Sequence, residues 1–257
     1  MIDLKNHFGG ELDYFEQIAL GNVPNHSVVN KFGRALIGTS EGVISETVAG
    51  YKYITNAEKI SCVSDSAEDV NLTGVGAWSV HIYGLNLANQ PIDEIVLLNG
   101  VTPVLSTLAY HRLFRAHTVK DGNGLVLDGS NTGVLSFTTE TSTDLQAKIL
   151  ANVGQTQMAV FTIPAGYKGL LWSKTVSAGK SKHFTFYIKW RNEASELNGS
   201  FSIKSTREIF ESAFREENKI PSVIPEKTDV VMTAINETSD TLECSASFIL
   251  ELVKMVD

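Results

Sequence analysis

From Ile60 onward the chain alternates between apolar and polar residues with a period of two, and short turn signals interrupt it at regular intervals. That pattern constrains the fold more than any other feature. Trp78, Val80 and Ile82 alternate with Ser79, His81 and Tyr83. Phe184, Phe186, Ile188 and Trp190 lie opposite Thr185, Tyr187 and Lys189, and Cys244, Ala246, Phe248, Leu250 and Leu252 share one side of the last segment. Residues two apart line one face of a strand, so each segment is a strand buried on one face. Asn99-Gly100 is a strong hairpin dipeptide, and Asp121-Gly-Asn-Gly124 and Asp128-Gly-Ser-Asn-Thr-Gly133 bracket Leu125-Val-Leu127. Ile92 to Leu98 and Leu105 to Val119 read as further strands. About a dozen short strands at this spacing predict an all-β, jelly-roll-like antiparallel sandwich over residues 57–257.

One helix is expected inside it. Ser205-Thr-Arg-Glu208 has the form of a capping box, Ile209, Phe210, Ala213 and Phe214 form an apolar stripe, and Pro221 closes it.

Residues 1–56 read differently. Leu12, Phe15, Ile18 and Ala19 fit one face of a short helix ended by Gly21. Pro24-Asn25 breaks the chain, and Val43, Ser45, Thr47 and Tyr51–Ile54 offer edge strands. The stretch from Tyr14 to Arg34 shows no sustained period, so it reads as an N-terminal arm. An arm carrying Tyr14, Phe15, Leu20, Val23, Val28, Val29, Phe32 and Arg34 needs another surface for its apolar side chains. These eight are the candidate partner-binding residues.

Hydrophobic residues make up 43% of the 257 and charged residues 19%, a composition that excludes wholesale disorder. No apolar run is long enough to cross a bilayer, and the first residues lack the layout of a signal peptide, so synthesis in a cytoplasm is expected. The formal charge of −8 argues against nucleic acid as a partner, and the densest basic segment, Lys174 to Lys182, reads as a solvated loop. Cys62 and Cys244 read as buried thiols, with pairing left open.

Motifs with chemistry fare poorly. Gly38-Thr-Ser-Glu-Gly42 matches a nucleophile elbow, but a strand-like segment follows it where a helix is required. Gly179-Lys-Ser181 ends like a phosphate-binding loop, yet it too runs into a strand. Asp121-Gly-Asn-Gly124 begins like a calcium loop, with Thr132 where the bidentate glutamate belongs. His111 and His117, taken as one strand, stand roughly 20 Å apart at about 3.3 Å per residue, so the six scattered histidines define no metal site. A glycan cleft lined by Trp172, Trp190 and a carboxylate pair stays open beside the plainer reading that strand-borne tryptophans fill the core. Neither cofactor nor metal is expected, and no catalytic residue is assigned.

Several segments carry a likeness instead. Tyr14 to Arg34 resembles the opening of virion structural proteins of tailed bacteriophages. So does Val80 to Val104, where one strand ends in Gly84-Leu-Asn86 and the next in Leu98-Asn-Gly100 followed by Thr102-Pro103. Tyr110-His-Arg-Leu-Phe-Arg115 and Gln157 to Gly169 are similar too. Ala35 to Gly42 departs from the family, which commonly has an Asp-rich stretch and a Trp-Asp-Gly-Gly-like turn there. The resemblance implies a structural, non-enzymatic subunit located in the virion, with other capsid or tail proteins as partners and self-association as a trimer. A compact chain without heptads or repeats fits a capsid decoration or cement protein; the alternative is a tail or head fibre or adaptor whose sandwich binds a receptor or glycan.

Overall fold

The computed structural model describes residues 13–47, 51–119, 130–179, 182–192, 199–238 and 240–255. Leu12, the Asp121–Gly124 turn, the Leu125–Leu127 strand and Lys180-Ser181 lie outside them. Helix α1 (Tyr14–Ala19) comes first, followed by β1 (His26–Ile37), β2 (Gly42–Val43), β3 (Glu58–Ser64), β4 (Ser79–Leu85) and β5 (Pro91–Leu97). Next come β6 (Val104–Tyr110), β7 (Arg112–Val119), β8 (Leu135–Thr139), β9 (Leu145–Ile149), β10 (Val160–Thr162) and β11 (Tyr167–Ala178). The chain ends with β12 (His183–Asn192), β13 (Ser202–Phe210), β14 (Ala213–Ile224), β15 (Thr228–Asn236) and β16 (Leu242–Lys254).

The strands form antiparallel sheets, and the all-β sandwich expectation holds. The first sheet runs β1-β16-β11-β14, and the second runs β10-β15-β12-β13 with β2 against β15. Between them lies one core, with Phe248 and Leu250 from the first sheet and Phe184, Phe186, Val230 and Met232 from the second. A third sheet, β6-β3-β8-β9, and a fourth, β5-β4-β7, enclose a second core around Ile60, Phe137, Val80, Ile82 and Leu113. The body is therefore two sandwiches. Their shared wall is the second sheet: along β15, Val230 and Met232 face one core and Val231 faces the other. A strand buried on both faces reads as a continuous apolar run, as Val230-Val-Met232 does.

Buried ions cross this joint. Asp229 on β15 is wholly buried and accepts hydrogen bonds from Arg112 Nε at 2.8 Å, Arg191 Nη2 at 2.8 Å and Thr162 Oγ1 at 2.7 Å. The two guanidinium groups lie 5.1 and 4.5 Å from the Tyr53 ring. Arg112 comes from the fourth sheet and Arg191 from the second, so one carboxylate ties the sandwiches together.

Three expectations are corrected. Residues 205–214 are not a helix: they end β13, turn a corner at Glu211, whose φ is +48°, and begin β14. Ile209 points inward while Phe210 is exposed, so the stripe splits between a buried and a solvent face. The β-branched Ile203, Thr206 and Ile209 suit a pleated strand better than a helix. Glu208, the supposed capping residue, instead meets His183 Nε2 across β12 at 2.7 Å.

The stretch Leu105 to Val119 is two strands. It breaks at His111, and the halves join different sheets.

Nor do residues 26–37 form a detached arm. β1 pairs with β16 over twelve residues, from His26↔Val253 to Ile37↔Leu242. Its inward positions include Lys31 and Gly33, and that hides the period from a hydrophobicity reading. Gly33 is required by close approach, since a Cβ there would stand 2.2 Å from the Ile44 carbonyl oxygen. Lys31 is buried, with its ammonium on the Phe114 carbonyl. Burial, and then Arg115, push its pKa down to about 7.

Both cysteines are free and buried. Burial raises the Cys62 thiol well above its ordinary value and that of Cys244 to about 12.

Candidate binding site

The outer face of the first sheet carries a carboxylate with no exposed surface. Glu251 stands on β16 opposite Val28 of β1 and accepts three hydrogen bonds. Trp172 Nε1 donates at 2.8 Å, Tyr14 Oη at 2.6 Å, and His26 Nδ1 meets the same oxygen as Tyr14. Burial alone would raise the carboxyl's pKa; the bonds from Tyr14, His26 and Trp172 outweigh it and hold the group below the usual glutamate value. Burial and the bond to Glu251 together push the Tyr14 phenol up to about 12.

This clip seats α1 on the sheet. Asp13 caps the helix, accepting from the Glu16 amide at 2.8 Å while Glu16 accepts from the Asp13 amide at 3.0 Å. Ile18 is buried beneath it, and Gly21 ends it at φ +73°, as expected. Phe15 meets Trp172 edge to face, centroids 4.8 Å apart at 84°.

Beside this contact lies a trough of about 600 Å³. Phe15 and Ala19 of α1 form one wall; Val28, Ile249, Trp172 and Ser173 form the floor; Arg215, Glu217, Asn218 and Lys219 of β14 form the other wall. Both strand ladders flanking β11 are irregular at this level. Leu171 pairs with Leu250 and Ser173 with Ile249, so Trp172 is an extra residue against β16. On the other side Leu171 pairs with Ser222 and Ser173 with Glu217, which leaves Asn218–Pro221 out of register. Asn218 Nδ2 donates to the Leu171 carbonyl at 2.9 Å and ties this excursion to the sheet.

Of the eight arm residues, Tyr14, Phe15 and Val28 meet at the trough or its clip. Phe32 faces solvent along the same outer face, 41% exposed, with Leu36 beyond it at 64%. Val29 turns inward against the core, and Leu20 is exposed past the helix end. Val23 is half-buried in the turn between helix and strand. Arg34 lies 3.5 Å from Glu46 and 3.3 Å from Glu243. Trp190 lies in the second sheet under the Lys204 ammonium and shares no cleft with Trp172. Glu251 was not anticipated, although a lone glutamate within Phe248-Ile-Leu-Glu-Leu252 is a visible signal.

A second polar cluster lies on the fourth sheet. The register pairs His81 with His117, bringing their rings to 5.4 Å. His81 Nε2 meets Asp93 at 2.7 Å, and its Nδ1 meets the Tyr83 hydroxyl at 2.9 Å. Burial, then Arg115 and His81, lower the His117 pKa to about 4. Among the described residues no three His, Cys, Asp or Glu side chains gather as a metal site, and no helix is long and apolar enough to cross a membrane.

No protein-family model matches the chain, and no curated protein does. Among solved structures, that of the infectious bursal disease virus Gx strain is 11% identical and aligns over 93% of this chain and 78% of its own, with a TM-score of 0.23. The VP2 subviral particle of infectious bursal disease virus is 11% identical over 95% and 78%, with a TM-score of 0.22. At such scores the overlap carries no argument about function.

Proposed function

We propose that this chain is a virion structural protein of the tailed-bacteriophage kind, a capsid decoration or cement subunit that docks through the outer face of its first sheet. The observation that carries the proposal is the row of solvent-exposed apolar side chains there: Phe15, Val28, Phe32 and Leu36, between 38% and 64% exposed. Apolar surface gathered on one face marks an interaction site more than a free surface. The sequence likeness of Tyr14 to Gly169 to virion proteins supports the same reading. So does the body of two β-sandwiches, a scaffold for contact area. The docking element is thus a sheet face with a short helix clipped to it, a different device from a free arm.

Partners under this proposal are other virion proteins, with trimeric self-association expected from the resemblance. Adding the purified protein to particles assembled without it tests the reading. Wild-type protein should bind; Phe32→Asp and Leu36→Asp, at exposed positions, should bind at least about tenfold more weakly, since each removes buried apolar area at an interface. Equal binding by wild type and both variants contradicts it.

The trough beside Trp172 favours one alternative, a fibre or adaptor subunit that uses the sandwich to hold a receptor or glycan.

A further inference from the structure

We infer that the trough between α1 and β14 is a binding site for a short acidic oligosaccharide, with Trp172 as the stacking platform and Lys219 as the partner of the sugar's carboxylate. The inference goes beyond the particle-docking reading and does not rest on it.

The site is built, not incidental. Both ladders of β11 shift at the same step, between Leu171 and Ser173, and bulges re-aim side chains near binding sites. Here the irregularity against β16 leaves Trp172 an extra residue on the outer face, and that against β14 puts Asn218 and Lys219, which both line the trough, out of register. The indole is held by wholly buried Glu251 at Nε1 and by the perpendicular Phe15 ring, so it is fixed before any ligand arrives. A pre-set aromatic surface with a few polar groups at its rim, in a volume of about 600 Å³, has the composition of a small-ligand site.

Charge selects the ligand. Arg215 and Glu217 pair with each other at 2.8 Å, and no other charged group lies near enough to Lys219 to pair with it among the described residues. The rim therefore carries one open cation on a chain whose net charge is −8. An extended peptide is a poor fit. β14 leaves its ladder at Asn218–Pro221, and Pro221 has no N–H, so no continuous backbone edge borders the trough. A sugar ring needs no such edge. It needs an aromatic plane for its C–H face and isolated donors for its oxygens.

The test titrates the full chain with trigalacturonic acid and 3′-sialyllactose, against maltotriose as the neutral control, by tryptophan fluorescence and calorimetry. The chain has three tryptophans, so loss of one is readable. The expected result is saturable quenching by at least one acidic probe, with affinity at least about fivefold above maltotriose. Trp172→Ala should weaken binding about tenfold or more and Lys219→Glu about fivefold. Trp172→Phe, which keeps a ring against Phe15, should retain most of it. Circular dichroism of each variant separates lost binding from lost fold. Three results overturn the inference: no binding of either acidic probe up to about 10 mM, equal affinity for maltotriose, or binding unchanged in folded Trp172→Ala or Lys219→Glu.

Discussion

The indole N–H of Trp172 donates a 2.8 Å hydrogen bond to Glu251, a carboxylate with no solvent exposure of its own. This pair links the bulge of β11 to the last strand. Through the second oxygen of Glu251 it reaches Tyr14 and His26. Helix, first strand, last strand and trough are thus held by one side chain.

Replacing Glu251 with Gln should therefore cost about 1–3 kcal/mol at pH 7, because the amide NH2 takes the place of one accepting oxygen and, with the remaining oxygen on Tyr14 and His26, leaves the Trp172 N–H facing a donor. The glutamate's pKa is lowered in the folded state. Its contribution is present above the unfolded value of 4.5 and is lost as pH falls below that toward the folded value. Thermal unfolding of wild type and Glu251→Gln should differ at pH 7 and converge under more acidic conditions. A constant difference down to pH 3 would contradict the clip.

Lys31 makes a prediction of the same sign in a higher pH window. Its folded pKa, about 7 against an ordinary 10.5, means the folded protein binds fewer protons between those values. Stability should rise as pH increases from about 7 toward 10.5 and level off at its lowest value below 7. Lys31→Met should remove that slope and stabilise the protein by about 1–3 kcal/mol at pH 6, since a buried ion gives way to an apolar group of similar length. Denaturant midpoints at pH 6 and pH 9 check it.

The joint between sandwiches rests on Asp229. Asp229→Ala leaves buried Arg112 and half-buried Arg191 without their carboxylate, a loss of about 3–5 kcal/mol that threatens folding outright. Soluble yield and circular dichroism at 25 °C read the outcome. A variant as stable as wild type would show that the ion cluster is not the tie.

Truncations separate helix from strand. Removing residues 1–22 deletes α1 and leaves β1 intact, so a folded, soluble protein is expected. Removing residues 1–34 takes most of β1, exposes the inner edge of β16 and should yield aggregated protein. The reverse order of solubility would refute the placement of β1 within the sheet.

Legibility in the sequence followed the purity of each strand's inward face. β4, β12 and β16 stood out because Val80 and Ile82, Phe184 through Ile188 and Cys244 through Leu252 fill their buried positions with apolar groups. β1 did not, because Lys31 and Gly33 occupy inward positions for reasons of close packing with Ile44, Ala159 and Phe114. The Ile209–Phe214 stripe fits a helix by spacing alone, and only tertiary pairing with β12 and β11 decides for strands. Division into two cores was hidden too, since the change of sheet at His111 lacks a glycine or proline to mark it. At the site, Phe15 and Trp172 were individually visible. Their meeting depends on a pairing between residues 28 and 251, and long-range register leaves no trace in a single sequence.

The proposed virion role is tested by where the protein sits in the particle. Cryo-electron microscopy of intact particles carrying the labelled protein counts its copies and shows its contact face. The account predicts hundreds of copies over the shell, with the β1 face, including Phe32 and Leu36, against the capsid. A handful of copies at a vertex or tail, or a shell contact made through the opposite sandwich, would contradict it.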